Sequence, residues 1–261
     1  MHRVSESRPV PRRAFIAGAA ATAAAAACST STPRSTRSAA PTTPATEVSS
    51  PSSTSPVTPP FVSAGARDRT QVALTFHVSG DRAQAVRMLD LLKAHQTPVT
   101  AFIVGTWLEA NADLVARFVD DGHELANHTY THPTFPSLDR AAMTTEVAGC
   151  RDVLVRLAGR GGDYFRPSGT TNGVDDPGPT VIDVARVAGY PTVVGYDVDP
   201  ADYQDPGATA IVQRTLDVLQ PGSIVSLHFG HAGTIDAMPE LLTALDARGL
   251  RPVAVNTLLA P

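Results

Sequence analysis

The feature that most constrains the fold is a regular alternation of apolar runs with helix-like patterns between about residues 70 and 258. Short apolar runs are typical of buried strands, and apolar residues that recur with the helical period are typical of helices packed on one side. Seven strand candidates alternate with six helix candidates in this region, and Gly or Pro separates most of them. Such alternation predicts a parallel sheet covered by helices. The strand candidates read QVALTF, PVTAFIVG, HELANH, YFRPSG, PTVVGYDV, SIVSLHF and RPVAVNTL.

Closing this sheet gives an α/β fold, a distorted TIM-like (β/α)7 barrel with one strand–helix pair fewer than the standard eight. An open doubly wound sheet is the alternative, but the chain has no G-x-G-x-x-G turn to support a dinucleotide site. The longest helix is predicted from about Leu138 to Leu157, with Ser137 as its N-cap. The other helix candidates read DRAQAVRMLDLLKAH, NADLVARFVDDG, PTVIDVARVAG, ATAIVQRTLDVLQ and IDAMPELLTALDARG.

Residues 1–28 are predicted to be a targeting signal. The stretch PRRAFIAGAAATAAAAAC places Arg12 and Arg13 before a short apolar run that ends at Cys28. It resembles a twin-arginine export signal with a lipoprotein cleavage site, and a plain secretory signal cut elsewhere is the alternative. Either interpretation predicts an exported protein, held on the outer face of the membrane by a lipid anchor or secreted.

Residues 29–65 are mostly Ser, Thr, Pro and Ala, and such a segment is predicted to be a disordered tether. A single domain then follows at 66–261, and we expect it to be a monomer. The net charge of -4 and pI near 6.0 give no basic footprint for nucleic acid. If Cys28 carries a lipid, Cys150 has no partner in the chain and is predicted to be a buried apolar residue.

Side chains that can carry chemistry follow five of the seven strand candidates. They are His77 and Asp81; Asn127, His128 and His132; Arg166; Asp197, Asp199 and Asp202; His228 and His231. In a parallel barrel the carboxyl ends of the strands meet on one face, where active sites form. The sequence therefore predicts one functional site made from several strand ends.

The sharpest element of this set is NHTYTHP, with His128 and His132 four residues apart. On one helical turn two such imidazoles lie on the same side, a geometry that suits two positions of a tetrahedral metal. Pro133 then disfavours helical geometry at His132 and ends the turn. The motif predicts a metal site at this strand end.

The whole pattern resembles the polysaccharide deacetylases that share the chitooligosaccharide deacetylase homology domain, the fourth carbohydrate esterase family. Five motifs between about Thr70 and Leu258 occur in the family's order. ALTFHVSGD stands where the family has T-F-D-D-G-P, and NHTYTHP matches its metal-binding histidines. FRPSG resembles R-P-P-Y-G, DVDPADY resembles D-x-x-D-W, and SIVSLHF resembles the closing strand with its catalytic histidine.

The first motif departs from the family, because the catalytic and metal-binding aspartates of T-F-D-D are His77 and Val78 here. One expectation is that His77 joins His128 and His132 in a three-histidine set, which binds zinc when water fills the fourth position. Asp81 is then the base, beside Arg166 as the resemblance implies, and a cation there keeps His77 neutral. The alternative for Asp81 is an N-cap of the following helix.

The resemblance implies a metal-dependent hydrolase that removes acetyl groups from an N-acetylated or O-acetylated glycan of the cell envelope. It implies His228 as general acid, oriented by Asp199, with a divalent metal, zinc before magnesium because the ligands are nitrogens. Tyr196, Tyr203 and Leu227 are expected to surround the acetyl methyl group, although Leu227 is equally expected in the core. A catalytically inactive, glycan-binding lipoprotein is the alternative function.

Overall fold

The computed structural model describes residues 59–170 and 172–261, and it contains a distorted barrel with a parallel sheet. The eight strands are β1 (Phe61–Val62), β2 (Gln71–Val78), β3 (Thr100–Ile103), β4 (Glu124–Asn127), β5 (Tyr164–Phe165), β6 (Thr192–Val194), β7 (Ile224–His228) and β8 (Arg251–Val253). They are arranged in the order β1-β6-β5-β4-β3-β2-β7, and β8 pairs with the start of β2. The alternation of strands and helices is thus confirmed, with the predicted strands appearing as β2 to β8.

The first strand was not predicted, because it is only two residues long and lies inside the segment 29–65 assigned to the tether. Phe61 and Val62 pair with Val193 and Val194, so β1 extends the sheet beyond β6. The folded part therefore begins by Phe61. The predicted signal and residues 29–58 of the predicted tether lie outside the described residues.

Eight α-helices pack around the sheet within the described part of the chain. They are α1 (Arg82–Ala94), α2 (Gly105–Ala110), α3 (Val115–Asp120), α4 (Arg140–Ala158), α5 (Pro179–Val187), α6 (Ala208–Val218), α7 (Ala232–Ala247) and α8 (Val255–Leu258). The helix expected from NADLVARFVDDG is a single-turn 3₁₀ segment followed by α3, and α2 precedes it. Among residues 59–170 and 172–261, no helix is long and apolar enough to cross a membrane.

The N-cap of the long helix α4 is Asp139 and not the predicted Ser137. The Asp139 carboxylate accepts a hydrogen bond from Ala142 N at 2.8 Å. Ser137 instead closes a 3₁₀ turn, where its hydroxyl donates to Thr134 O. A second difference is at the end of the chain, where RPVAVNTL forms a three-residue strand followed by the short helix α8.

Alternate residues of each strand face the inside and the outside of the barrel. On β2, Ala73 packs with the inner cluster, whereas Leu74, Phe76 and Val78 pack with the outer cluster beneath the helices. His77 therefore faces inward at the carboxyl end of β2, next to the outward-facing Val78. Cys150 on α4 is a buried free cysteine, as predicted, and burial raises its pKa to about 12.

The barrel closes between β6 and β7 without a regular strand ladder. The chain after β6 meets β7 at a single bridge, Val198 to Val225. The Asp197 carboxylate completes the closure by accepting hydrogen bonds from Ile224 N at 2.7 Å and Arg67 Nη2 at 2.7 Å. Asp197, one of the polar strand-end residues, thus has a structural role at this seam.

Candidate active site

His77 lies at the centre of a hydrogen-bonded chain at the carboxyl edge of the sheet. Strand pairing places His77 opposite His228 of β7, and His77 Nδ1 lies 3.0 Å from His228 Nε2. On the other side of the ring, Arg166 Nη1 lies 3.1 Å from His77 Nε2. Because arginine can only donate, His77 Nε2 accepts, and the hydrogen of neutral His77 is on Nδ1. That hydrogen is then donated to His228 Nε2.

The chain continues from His228 to Asp202, which follows β6. His228 Nδ1 donates to Asp202 Oδ1 at 2.7 Å, and the other carboxylate oxygen accepts from His228 N at 2.8 Å and Thr234 Oγ1 at 2.7 Å. Asp202 is fully buried, and these contacts fix its orientation. The four side chains thus form one directional series, from Arg166 through His77 and His228 to Asp202.

The aspartate that orients His228 was expected to be Asp199, and this expectation is wrong. Asp199 Oδ1 accepts from Ala201 N at 2.8 Å, so its carboxylate closes a local turn. The chain passes through left-handed backbone at Ala201 (φ 54°) and Asp205 (φ 51°), and the turn between them carries Asp202 beneath His228. Burial raises the pKa of Asp199, and the nearby side chains of His228 and Arg166 act in the opposite direction.

The two histidines of NHTYTHP come together, although the segment between them is not helical. Thr129 (φ 71°) and His132 (φ 61°) have left-handed backbone, and the chain forms an irregular loop after β4. The ring centroids of His128 and His132 are 5.0 Å apart. His128 Nδ1 donates to Arg166 O at 2.9 Å, while His128 Nε2 is buried and has no hydrogen-bond partner among the described residues.

A buried imidazole with one nitrogen bound to a carbonyl and the other free matches a metal ligand, because the carbonyl fixes the tautomer. Burial holds the pKa of His128 well below its ordinary value, and the neighbouring His132 lowers it further. His128 is therefore neutral, as a metal ligand must be. His132 lies exposed at the rim of the site beside it.

The predicted three-histidine set does not form. The His77 ring stacks on the His128 ring with centroids 4.2 Å apart, but Arg166 and His228 occupy both of its nitrogens. Burial, followed by the charge of His128, holds the pKa of His77 well below its ordinary value. Across the described residues, no group of three or more His, Cys, Asp or Glu side chains is placed to hold a metal.

Arg166 is a fully buried cation with no carboxylate partner in the part of the chain that the structure describes. Its guanidinium donates to Val194 O at 2.9 Å, Gly195 O at 2.8 Å and Thr75 Oγ1 at 2.9 Å, and it lies 3.9 Å from the centre of the Phe102 ring. Burial lowers its pKa to about 9, so Arg166 stays protonated at neutral pH.

Asp81 does not pair with Arg166. The chain turns at Gly80 (φ 82°) after β2, and Asp81 Oδ1 accepts from Gln84 N at 2.9 Å as the N-cap of α1. Its exposed carboxylate belongs to the helix start, whereas the Arg166 guanidinium faces His77. The helix-cap alternative is the one that the structure supports.

Two of the three residues expected around the acetyl methyl group lie at the site. The Tyr196 ring is 6.4 Å from His77, and the half-exposed Tyr203 ring is 5.4 Å from His228. Leu227 faces outward from β7 into the outer core and is fully buried, so its role is packing.

Sequence reasoning missed the roles of Asp202 and Thr234. One signal for Asp202 was available in the sequence: Asp202 and Asp205 are three residues apart, as are His228 and His231. In the structure, His231 Nδ1 lies 2.9 Å from Asp205 Oδ1, a second contact like that of His228 with Asp202. Two histidines and two aspartates at the same spacing indicate that these loops face each other in register.

Comparison with known proteins agrees with this geometry. The family model for polysaccharide deacetylase matches residues 64–193. A chitooligosaccharide deacetylase of Rhizobium leguminosarum bv. trifolii is 31% identical over 202 residues, which cover 77% of this chain and 87% of that protein.

Solved structures show the same fold. The Bc1960 peptidoglycan N-acetylglucosamine deacetylase has a TM-score of 0.71 and 26% identity, covering 77% of this chain and 92% of that one. A family 4 pseudoenzyme from Bacillus anthracis, BA3943, has a TM-score of 0.70 at 24% identity over 77% of this chain and 69% of its own, a likeness of fold alone. The predicted barrel and the family resemblance are confirmed, and the chain belongs to the polysaccharide deacetylase family.

Proposed function

We propose that the protein is a metal-dependent hydrolase that removes acetyl groups from an acetylated glycan of the cell envelope. The observation that carries the proposal is the free, buried Nε2 of His128, which lies beside His132 and the Arg166–His77–His228–Asp202 series. An unpartnered buried nitrogen is costly unless a ligand satisfies it. Its position at the carboxyl edge of the barrel, where catalytic groups collect, supports a catalytic role.

His128 and His132 fit two positions of a divalent metal, with zinc favoured by nitrogen ligands. His77 does not supply the third, because its nitrogens are bound to Arg166 and His228. The remaining positions are then left to water and substrate, so we expect weaker metal binding than in a site with three protein ligands. When bound, the metal supplies Lewis acidity towards the acetyl carbonyl oxygen.

The proton carrier of this site is His228. Asp202 holds the hydrogen of His228 on Nδ1 and stabilises the imidazolium that forms when Nε2 also takes a proton. His228 Nε2 faces His77, so it takes up the proton of the attacking water when the bond from His77 opens. It then returns the proton to the leaving amine or alcohol. Arg166 orients the His77 ring by donating a hydrogen bond to His77 Nε2.

On the solvent-exposed side of the candidate site, the residue proposed to contact substrate is the aromatic Tyr203. Tyr203 is 48% exposed next to His228, and the partly exposed His231 ring lies 5.8 Å from the His228 ring, so these side chains are available to a sugar chain. An exported, anchored domain would meet an envelope glycan such as peptidoglycan first. The relatives named above act, by their names, on chitooligosaccharide and peptidoglycan N-acetylglucosamine.

The test is acetate release from N-acetylated chitooligosaccharides, peptidoglycan fragments and O-acetylated xylan, with and without added Zn²⁺. We expect release that a chelator abolishes and Zn²⁺ restores, and that His128→Ala lowers by at least about 10²-fold. His95→Ala is the matched control, because His95 is an exposed histidine at the end of α1 outside the site. Release that is unaffected by chelator and by His128→Ala contradicts the proposal.

A second function, glycan binding without catalysis, is favoured by one observation. The family's two aspartates are replaced by His77, with both nitrogens occupied, and by the outward-facing Val78. Saturable binding of chitooligosaccharides by calorimetry, with no acetate released from any acetylated substrate in the presence of Zn²⁺ or Co²⁺, would favour this second function.

A further inference from the structure

The loop that carries the two proposed metal ligands has strained backbone at Thr129 and at His132. We define the histidine loop as residues 128–132, which follow β4. Thr129 and His132 have positive φ angles of 71° and 61°, a conformation that costs free energy for residues other than glycine. Surrounding contacts must hold such a loop in place, and those contacts decide how His132 is placed relative to His128.

The front of the loop is anchored to the barrel by its first residues. Thr129 N donates to Asn127 Oδ1 at 2.9 Å, and Thr129 Oγ1 donates to Ser168 Oγ at 3.0 Å. These contacts fix the His128 end. They do not reach Tyr130 and Thr131, the residues that lead to His132.

The Tyr130 carbonyl accepts from Thr106 N at 2.9 Å, whereas the N–H groups of Tyr130 and Thr131 are held by Glu146 on α4. Glu146 Oε2 accepts from Tyr130 N at 2.9 Å and from Thr131 N at 2.8 Å, and Glu146 Oε1 accepts from Thr131 Oγ1 at 2.7 Å. Both carboxylate oxygens are thus directed to the histidine loop. No arginine or lysine of the described residues pairs with Glu146, so its charge serves these hydrogen bonds and no ion pair.

The approach of the loop to α4 is close enough to make this contact specific. The Tyr130 ring lies against Gly105 of α2 and Gly149 of α4, where an added Cβ would come within 2.7 Å and 3.2 Å of the ring. The glycines let the loop backbone come near the helix, and Glu146 lies one turn before Gly149 on α4.

We propose that Glu146 is a positioning residue that fixes His132 against His128 and thereby sets the affinity of this site for a divalent metal. The inference rests on the proposed function, because it takes His128 and His132 as the metal ligands. Glu146 touches neither histidine ring and acts through the backbone of Tyr130 and Thr131.

The test compares two substitutions in the full chain. Glu146→Ala removes all three hydrogen bonds. Glu146→Gln keeps a carbonyl oxygen for the two N–H groups, and its amide can donate to the Thr131 hydroxyl. Asp152→Ala is the matched control, because Asp152 is an exposed acid on the same helix with no contact to the loop.

The measurements are the dissociation constant for Zn²⁺ by chelator competition and the amide exchange rates of Tyr130 and Thr131 without metal. We expect Glu146→Ala to weaken Zn²⁺ binding at least about tenfold, in the range typical of groups that orient metal ligands, and to speed exchange at both amides. Glu146→Gln should recover most of the affinity, and Asp152→Ala should change neither.

Unchanged Zn²⁺ affinity in Glu146→Ala overturns the inference while leaving the proposed function intact. An affinity that falls in Asp152→Ala as much as in Glu146→Ala also overturns it, because the effect would then reflect helix stability. An unaltered protein that binds no Zn²⁺ overturns the proposed metal site and this inference together.

Discussion

The direction of each hydrogen bond at the site follows from Arg166, which can only donate. His77 Nε2 must accept from it, so neutral His77 donates from Nδ1 to His228, and His228 donates to Asp202. In this state the lone pairs of His77 and His228 are all in use. The free lone pair of His128 Nε2 is therefore the natural point of attachment for a metal.

The first prediction separates two aspartates. Asp202→Asn replaces the carboxylate that accepts from His228 Nδ1, so we expect turnover of acetylated oligosaccharides to fall by about 10²–10⁴-fold. Asp199→Asn keeps an oxygen for Ala201 N and should change turnover by less than about tenfold. Steady-state acetate release measures both variants. Equal losses in the two would contradict the assignment of Asp202.

The sequence could place His77, His128, Arg166 and His228 at one site because each follows a predicted strand. It could not choose between Asp199 and Asp202, because the choice depends on left-handed backbone at Ala201 and Asp205, which are not glycines. Alanine and aspartate at these positions carry no signal for that geometry. Unfavourable backbone of this kind is held in place by contacts with the surrounding structure, so it cannot be predicted from the local sequence.

At the level of elements, the start of α1 tests the role of Asp81. Asp81→Asn retains an N-cap oxygen for Gln84 N, so we expect acetate release within about twofold of the unaltered protein. Asp81→Ala removes the cap and should lower the free energy of unfolding by about 1 kcal/mol. Urea denaturation and acetate assays on the two variants provide the measurement. A loss of turnover of about 10²-fold or more in Asp81→Asn, the usual contribution of a general base, would restore Asp81 as the base.

The start of β4 carries a buried carboxyl at the amino-terminal end of the barrel, opposite the active site. Glu124 accepts from Thr100 Oγ1 at 2.7 Å and from Asn256 N, while its other oxygen has no partner among the described residues. Burial raises the pKa of Glu124 to about 7, from an ordinary value of 4.5. Between about pH 4.5 and 7, Glu124 is therefore protonated in the folded protein and ionised in the unfolded chain.

The sign of the resulting pH dependence follows from linkage. The contribution of protonated Glu124 to the free energy of unfolding is complete below about pH 4.5, and it is lost as the pH rises through about 7. We expect Glu124→Gln to be the more stable protein at pH 8, by at most about 3 kcal/mol, with the difference shrinking towards pH 4.5. Urea denaturation of both proteins across this range is the measurement, and a difference that is constant with pH would contradict it.

The elements that the sequence predicted correctly are those with long apolar runs. β2, β7 and the helix α1 follow the expected ranges closely, because burial and period agree there. β1 was missed because two residues are too few for any period. The turn at NHTYTHP was predicted as helical from spacing alone, whereas Glu146 and Ser168 hold it in an irregular loop through contacts distant in sequence.

At the level of the whole molecule, the attachment to the membrane is a prediction from the sequence. Arg12 and Arg13 precede an apolar run that ends at Cys28, outside the described residues. We expect Cys28→Ala to move the protein from the membrane fraction to the soluble exported fraction, because the variant lacks the cysteine that would carry the lipid. Cys150→Ala is the control, since Cys150 is buried in the barrel. Unchanged membrane association of Cys28→Ala would exclude the lipid anchor.

The two-residue strand β1 joins the end of the predicted tether to the barrel sheet. Val193 N donates to Pro60 O at 2.9 Å and Gly195 N to Val62 O at 2.7 Å, and the Phe61 ring lies where a Cβ on Gly195 would meet it at 2.9 Å. If the chain is anchored as predicted, tension on the tether would act on these hydrogen bonds, one of which is donated by Gly195, the residue before Tyr196 of the candidate site. A recombinant domain trimmed to start after Val62 would lose this strand, so the cutting point for expression belongs before Pro59.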